Sequence, residues 1–177
     1  MARVIRQSAR HSKTESRALL QALLTAELVA PSKILWVVSP WISDIPVLDN
    51  RGGTFQLVEA WGAGDIPLSK VLVAVALRGG FVRIITTTDA KNEHFLCRLA
   101  DEAQRADVTD RIVVVYNDDE MLHEKAVVGD DFVIDGSMNL TYYGLQFRQE
   151  RINYDIDIQR VAAARMEMRQ DFGGGSV

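Results

Sequence analysis

The sequence predicts an α/β fold, a sandwich with a mixed, largely buried central sheet flanked by helices, and three observations carry that prediction. Helical and strand periodicities alternate along the chain. The run Ile34-Leu35-Trp36-Val37-Val38 is apolar at every position, as expected of a strand covered on both faces. Two apolar stretches, Leu122 to Val128 and Phe132-Val133-Ile134, are separated only by Gly129-Asp130-Asp131, which has turn composition and implies a hairpin. With 177 residues, 47 % of them apolar and 25 % charged, the chain has the size of one domain able to bury a core.

The elements follow in order. Residues 1 to about 14 are expected to be mobile. Ser16 to Ala30 reads as an amphipathic helix with Leu19, Leu20, Leu23 and Leu24 on one side, closed by Pro31-Ser32. After the strand Ile34 to Val38, which ends at Ser39-Pro40-Trp41, the turn formers of Ile42 to Ile66 predict a long, partly irregular excursion. Its aromatic residues Trp41, Phe55 and Trp61 are expected near a site or an interface. Pro67 to Arg78 is helical, with Leu68, Val71, Leu72 and Val75 on one face and Gly79-Gly80 ending it, and Val82 to Thr86 is a strand. Asp89 is placed to cap a helix through Ala103 whose inward residues are Phe95, Leu96 and Leu99. A strand from Ile112 to Tyr116 precedes the hairpin. Beyond it, Ile152, Tyr154, Ile156 and Ile158 alternate with polar residues as in a strand with one wet face, and a last helix runs from Arg160 to about Gln170.

The chemistry is concentrated in the hairpin. His123-Glu124-Lys125-Ala126-Val127-Val128-Gly129-Asp130 is followed by Gly136-Ser137-Met138-Asn139, so an imidazole, an ammonium, a hydroxyl and an amide stand within seventeen residues. An imidazole is able to attack phosphorus, and the other three groups are able to hold its oxygens. Alternation puts His123 and Lys125 on one face of the first strand, and the hairpin brings Ser137 and Asn139 back beside that face.

This pattern resembles the signature of the phospholipase D superfamily, His-x-Lys-x4-Asp followed by Gly-Ser-x-Asn. The resemblance covers roughly residues 30 to 172, with residues 122 to 150 carrying nearly all of its specificity. Arg78-Gly79-Gly80-Phe81-Val82-Arg83-Ile84 is also similar to the helix-to-strand junction of such proteins. Five residues separate Asp130 from Gly136, where the family usually has six, so either Asp130 or Asp131 fills the acidic position. The resemblance implies a phospholipase D-like domain over 31–172, preceded by a basic arm and helix (1–30) and followed by a flexible tail (173–177). It implies His123 as nucleophile, Lys125 and Asn139 as ligands of the non-bridging oxygens, and Ser137 as a further hydrogen-bonding group. Glu150, thirteen residues beyond Ser137, is implied to hydrogen-bond the histidine, and Asp130 to be structural rather than catalytic. No metal or other cofactor is required. A single signature supplies one histidine where the reaction needs both a nucleophile and an acid, so the resemblance also implies a homodimer in which His123 of both subunits meets in one site.

Composition narrows the substrate. The net charge of −4 argues against a surface that attracts nucleic acid everywhere, but not against a local basic cleft. Arg3, Arg6, Arg10, Lys13 and Arg17 offer phosphate contacts at the amino terminus. Asp118, Asp119 and Glu120 read as a solvated loop, His94 as a surface residue, and Cys97 as a small core hydrophobe in a reducing compartment. No apolar run of transmembrane length and no secretory signal is present, so a cytoplasmic protein is expected. That compartment, and the lack of a membrane-binding amphipathic helix, favours nucleic acid over lipid. Ser39-Pro40-Trp41-Ile42-Ser43 and the short single-motif form are similar to bacterial phospholipase D-like proteins of DNA-modification and restriction gene clusters, including the 7-deazaguanine systems. That similarity implies DNA as substrate and the other proteins of such a system as partners. A non-catalytic phosphate- or DNA-binding module and a phospholipid hydrolase are the alternatives.

Overall fold

Where the chain is apolar at every position it runs through the middle of the sheet. The computed structural model describes residues 3–6, 13–53, 56–118, 122–146 and 150–173. In chain order its main elements are β1 (Arg3–Arg6), α1 (Lys13–Val29), β2 (Ile34–Val38), β3 (Pro46–Asn50), β4 (Gly64–Pro67), α2 (Leu68–Leu77) and β5 (Phe81–Thr86). They continue as α3 (Glu93–Arg105), β6 (Ile112–Tyr116), β7 (Ala126–Val128), β8 (Val133–Gly136), α4 (Tyr142–Gln146), β9 (Arg151–Asp155) and α5 (Ile158–Phe172). Among the described residues a seven-stranded sheet has the order β1-β9-β8-β7-β2-β5-β6, and β3 pairs with β4 apart from it. The pairs β2/β5 and β5/β6 are parallel and the others antiparallel, so the sheet is mixed, as predicted.

The sheet is sandwiched because its central strands are apolar on both faces. Leu35 and Val37 of β2 join Val82, Ile84, Val127 and Ile134 in the larger core, which Leu20, Leu24 and Leu28 of α1, the whole inner surface of α2, and Phe95 and Leu99 of α3 complete. Trp36 and Val38 point the other way, into a second core with Ile85, Val128 and Val133 closed by Val161, Ala164 and Met168 of α5. Arg83 is buried on this side, its guanidinium 5.4 Å from the centroid of the Trp36 ring and donating to the Phe172 carbonyl at 2.9 Å. The charge therefore meets the electronegative end of α5 instead of lying unpaired.

Helix ends follow local chemistry. Pro67 at the start of α2 offers no side-chain cap, and Asp44 supplies one from a distance by accepting from Ser69 N and Oγ, both at 2.9 Å. α2 stops at Gly79 (φ +99°), where Gly79 N donates to Ala76 O and Gly80 N to Val75 O, closing the last turn as the Gly79-Gly80 pair predicts. Asp157 caps α5 by accepting from Gln159 N and Arg160 N.

Several expectations are corrected. Residues 3–6, expected in a mobile arm, form the edge strand β1 against β9, with Val4 opposite Asn153. Arg17 pairs with Asp65 at 3.6 Å, while Arg10 and the side chains of Arg3, Arg6 and Lys13 lie outside the described residues, as do Phe55, Asp119 and Glu120. Cys97 is exposed, because the inward stripe of α3 is Phe95, Leu99 and Ala103 and a residue two positions from Phe95 and Leu99 faces away. β9 ends at Asp155, whose carboxylate accepts from Ile156 N and Asp157 N and turns the chain, leaving Ile156 and Ile158 exposed rather than on a strand face. The excursion from Ile42 to Ile66 contains the β3/β4 pair and a 3-10 turn at Gln56–Trp61. β7 begins at Ala126, not at Leu122. On the β2 side the ladder stops at Val38, because Ser39 N donates to Ile85 O of β5 and Pro40 has no amide proton; on the β8 side it runs one residue further, with Gly136 N donating to Lys125 O at 3.2 Å, and residues 122–124 lie outside it.

Candidate active site

Residues 122–124, which precede the last ladder bond at Lys125 O, carry His123 outward. His123 is exposed and Lys125 half-buried, and both line one open cleft of about 330 Å3 whose far wall holds Trp41, Asp89 and Asp118. An irregular segment rather than a strand face delivers His123 to the cleft that Lys125 also lines. The Lys125 ammonium donates to the His123 carbonyl. Burial draws the Lys125 pKa below the ordinary lysine value, and the Glu150 carboxylate partly opposes that shift. A lysine so placed loses its proton at a lower pH than a free one. If its charge holds substrate, kcat/KM is expected to fall as pH rises through a pKa below 10.5. In Lys125→Arg that alkaline limb should move upward, because guanidinium stays charged. A limb at the same pH in both proteins would dissociate Lys125 from it.

The other motif residues take their places through β8 and β9. Gly136 (φ +148°) lies opposite Ile152 in the β8/β9 register, and Ser137 follows it, donating from its amide to Arg151 O at 3.0 Å. Ser137 Oγ donates to Glu150 Oε2 at 2.5 Å and accepts from Arg151 N at 3.0 Å. The buried Glu150 thus holds Ser137, whereas a hydrogen bond to the histidine was expected; the imidazole makes no hydrogen bond among the described residues.

Asn139 is buried, and its Oδ1 lies 3.4 Å from Ser39 Oγ. Because the amide oxygen faces Ser39, both Nδ2 protons remain for a ligand; Nδ2 has no hydrogen bond among the described residues. Ser39 Oγ is also 2.8 Å from Trp41 O and accepts from Leu140 N at 3.3 Å, tying the Asn139 segment to the loop that walls the cleft. Asp130 is remote from the histidine. It sits at the hairpin turn, where its carboxylate accepts from Lys33 N at 3.0 Å and pairs with Arg165 at 2.7 Å. Its amide donates to Ser32 Oγ, which in turn donates to the buried Glu27, whose pKa burial raises. Asp130 thus ties the segment before β2, the hairpin and α5 together.

Sequence reasoning missed Asn92, a fully buried side chain that fixes the same loop. Its Nδ2 lies within 3.0 Å of Pro40 O, Thr86 Oγ1 and Thr87 O, and its Oδ1 accepts from Ile42 N at 2.8 Å. The available signal was spacing: Asn92 precedes Phe95 by three residues and so continues the inward stripe of α3. Trp41, expected near a site as part of the excursion, is in the cleft, with its indole N–H donating to Asp89 Oδ2 at 2.9 Å; Trp61 packs against the larger core instead. Among the described residues no group of three or more His, Cys, Asp or Glu side chains is placed to hold a metal ion.

Residues 63–171, which include every motif residue, match the family described as cardiolipin synthase, PLD-like domain. No curated protein matches the chain. Among solved structures the chain is similar to Nuc, a phospholipase D family member from Salmonella typhimurium. Identity is 14 %, the TM-score is 0.61, and the match covers 97 % of this chain and 92 % of that one. It is similar to phosphatidylserine synthase from Haemophilus influenzae at 15 % identity and a TM-score of 0.62, covering 96 % of this chain and 37 % of that one. It is also similar to TrmBL2, an archaeal chromatin protein described as showing a mode of DNA binding, at 12 % identity and a TM-score of 0.54, covering 97 % and 52 %.

Proposed function

Because the chain belongs to the phospholipase D superfamily, we propose that it is a metal-independent phosphodiesterase that cleaves DNA in a site shared by two subunits. The observation that carries this reading is the cleft that joins His123 to Lys125, with the buried Asn139 tied through Ser39 to the Trp41 loop that walls it, in a chain whose described part offers no second histidine there; His94 lies exposed on α3 and His11 is outside the described residues. Exposure of His123 fits a residue that meets its counterpart across a twofold axis.

In the proposed reaction a neutral His123 nitrogen attacks phosphorus. The P–N bond forms, the bond from phosphorus to the leaving oxygen breaks, and that oxygen takes a proton from the protonated His123 of the partner subunit. The second imidazole, now neutral, accepts a proton from water as water attacks the phosphohistidine and the P–N bond breaks. Both histidines return to their starting states and one phosphodiester has been hydrolysed. Lys125 and Asn139 hold the non-bridging oxygens and stabilise the charge that gathers on them. Ser137, fixed by Glu150, contributes a further polar group beside Asn139. DNA is favoured over lipid by the Ser39-to-Ser43 resemblance and by the DNA binding described for TrmBL2; among the described residues no helix is long and apolar enough to cross a membrane. The same resemblance supports a role in a DNA-modification or restriction system, with partner proteins of that system.

The test combines sedimentation with a substrate panel of DNA, RNA and phosphatidylcholine vesicles, all in EDTA. A dimer that hydrolyses DNA with undiminished rate in chelator is expected. Turnover by a monomer, loss of activity that a divalent ion restores, or hydrolysis confined to the vesicles would each overturn a separate part of the proposal.

A further inference from the structure

The cleft that holds His123 extends past the site of phosphate chemistry to Trp41, Asp89, Asp118 and Leu122. The geometry points to Trp41 as a stacking platform for an unpaired nucleobase next to the scissile phosphate, an inference that rests on the nuclease reading and specifies what its site grips. Trp41 is half-buried and its remaining surface lines the cleft. It is held in place, with Nε1 bonded to Asp89 at 2.9 Å and its own carbonyl 2.8 Å from Ser39 Oγ. The peptides on either side are fixed by Asn92, through Pro40 O and Ile42 N. An aromatic ring immobilised in advance loses little freedom when a ligand stacks on it.

Charge selects the ligand. Lys125 marks one end of the cleft for a phosphate, while at the other end the Asp89 carboxylate is paired with Lys91 at 3.5 Å and Asp118 leaves a negative charge that disfavours a second phosphate, so an uncharged neighbouring group fits best. The ammonium of Lys91, which is not among the residues lining the cleft, lies 4.6 Å from the centroid of the Trp41 ring and helps to hold the indole in place. A flat neutral ring meets the condition that the carboxylate sets. Nucleobases in a duplex have both faces covered by their neighbours, so the platform accepts a base from a single strand.

The experiment uses the full-length protein and an end-labelled single-stranded DNA oligonucleotide carrying one abasic residue at a known position. Wild-type protein is expected to cut the phosphates beside the abasic residue about 5- to 150-fold more slowly than the same phosphates in the intact strand, the span that base–aromatic stacking covers. In Trp41→Ala the ratio of intact to abasic cleavage should fall toward one. Trp41→Phe, which keeps a ring but loses the indole N–H, should restore most of it. Even cleavage by wild type through the abasic position would overturn the platform, and so would an unchanged ratio in Trp41→Ala. The wild-type comparison needs no substitution and stands even if Trp41→Ala does not fold. Wild-type protein that cuts no oligonucleotide but hydrolyses phosphatidylcholine vesicles would reject the nuclease reading itself and make the Trp41 wall a headgroup site.

Discussion

Replacement of His123 by alanine is expected to lower turnover by a factor on the order of 10⁴ or more, because both the nucleophile and the proton donor of the proposed reaction are lost together. The stronger result concerns mixtures. His123 is exposed at the mouth of its cleft, and the substitution removes no core contact, so the variant should fold and exchange subunits with wild type. In a shared site each wild-type/variant dimer has one imidazole and cannot supply attack and protonation together. An equal mixture at random assortment should then retain roughly a quarter of the activity of the same total amount of wild-type subunits. If each subunit completed its own site, half would remain. Activity proportional to the wild-type fraction, measured after subunit exchange is shown to be complete, would therefore remove the shared site while leaving His123 essential.

The second large effect is expected at Gly136. A Cβ there would stand 2.0 Å from the Arg151 carbonyl oxygen, and the backbone φ of +148° is one that L side chains rarely adopt. Alanine cannot be accommodated by moving a flexible side chain, because the obstructing atom is main chain and is the acceptor of the Ser137 N–H. β8 and β9 must separate at the very register point that sets Ser137 beside Glu150. A destabilisation of about 4 kcal/mol is expected, about 10 °C in the midpoint of thermal unfolding for a chain of this size, together with loss of turnover in the molecules that remain folded. Gly64→Ala is the control: a Cβ at Gly64 meets nothing within 4 Å, and its unfolding midpoint should hardly move. A Gly136→Ala protein with wild-type midpoint and wild-type turnover would show that the β8/β9 junction does not position the site.

Much of this molecule was legible before its fold was known, and the legible parts share a physical basis. Periodicity is local, so the double-faced strand Ile34 to Val38, the hairpin at Gly129-Asp130-Asp131 and the helix stop at Gly79-Gly80 were each written in a few consecutive residues. His123 and Lys125, two residues apart, line one cleft although no strand face carries them there. Where the expectation failed, a distant partner decided the outcome. The alternation from Leu122 onward is a sound strand pattern, yet a strand needs a neighbour, and the last ladder partners are Val38 of β2 for Ala126 and Gly136 of β8 for Lys125. The same holds for Arg3–Arg6, polar enough to read as an arm until β9 offers an open edge, and for Ile156 and Ile158, whose alternation ends when Asp155 captures the next amides.

The sequence by itself determined the class of fold, the chemical groups available for phosphodiester cleavage and their separation along the chain. Only the tertiary structure decided what surrounds them: that Glu150 holds Ser137, that Asp130 anchors the far end of the hairpin, and that Ser39, Trp41 and Asn92 build the wall facing His123. Ser39 and Asn139 are one hundred residues apart, and Asn92 reaches back fifty to Ile42. Such contacts leave no periodic trace, because a buried polar side chain is satisfied by whichever donor or acceptor the packing of the whole sheet and its helices brings within reach.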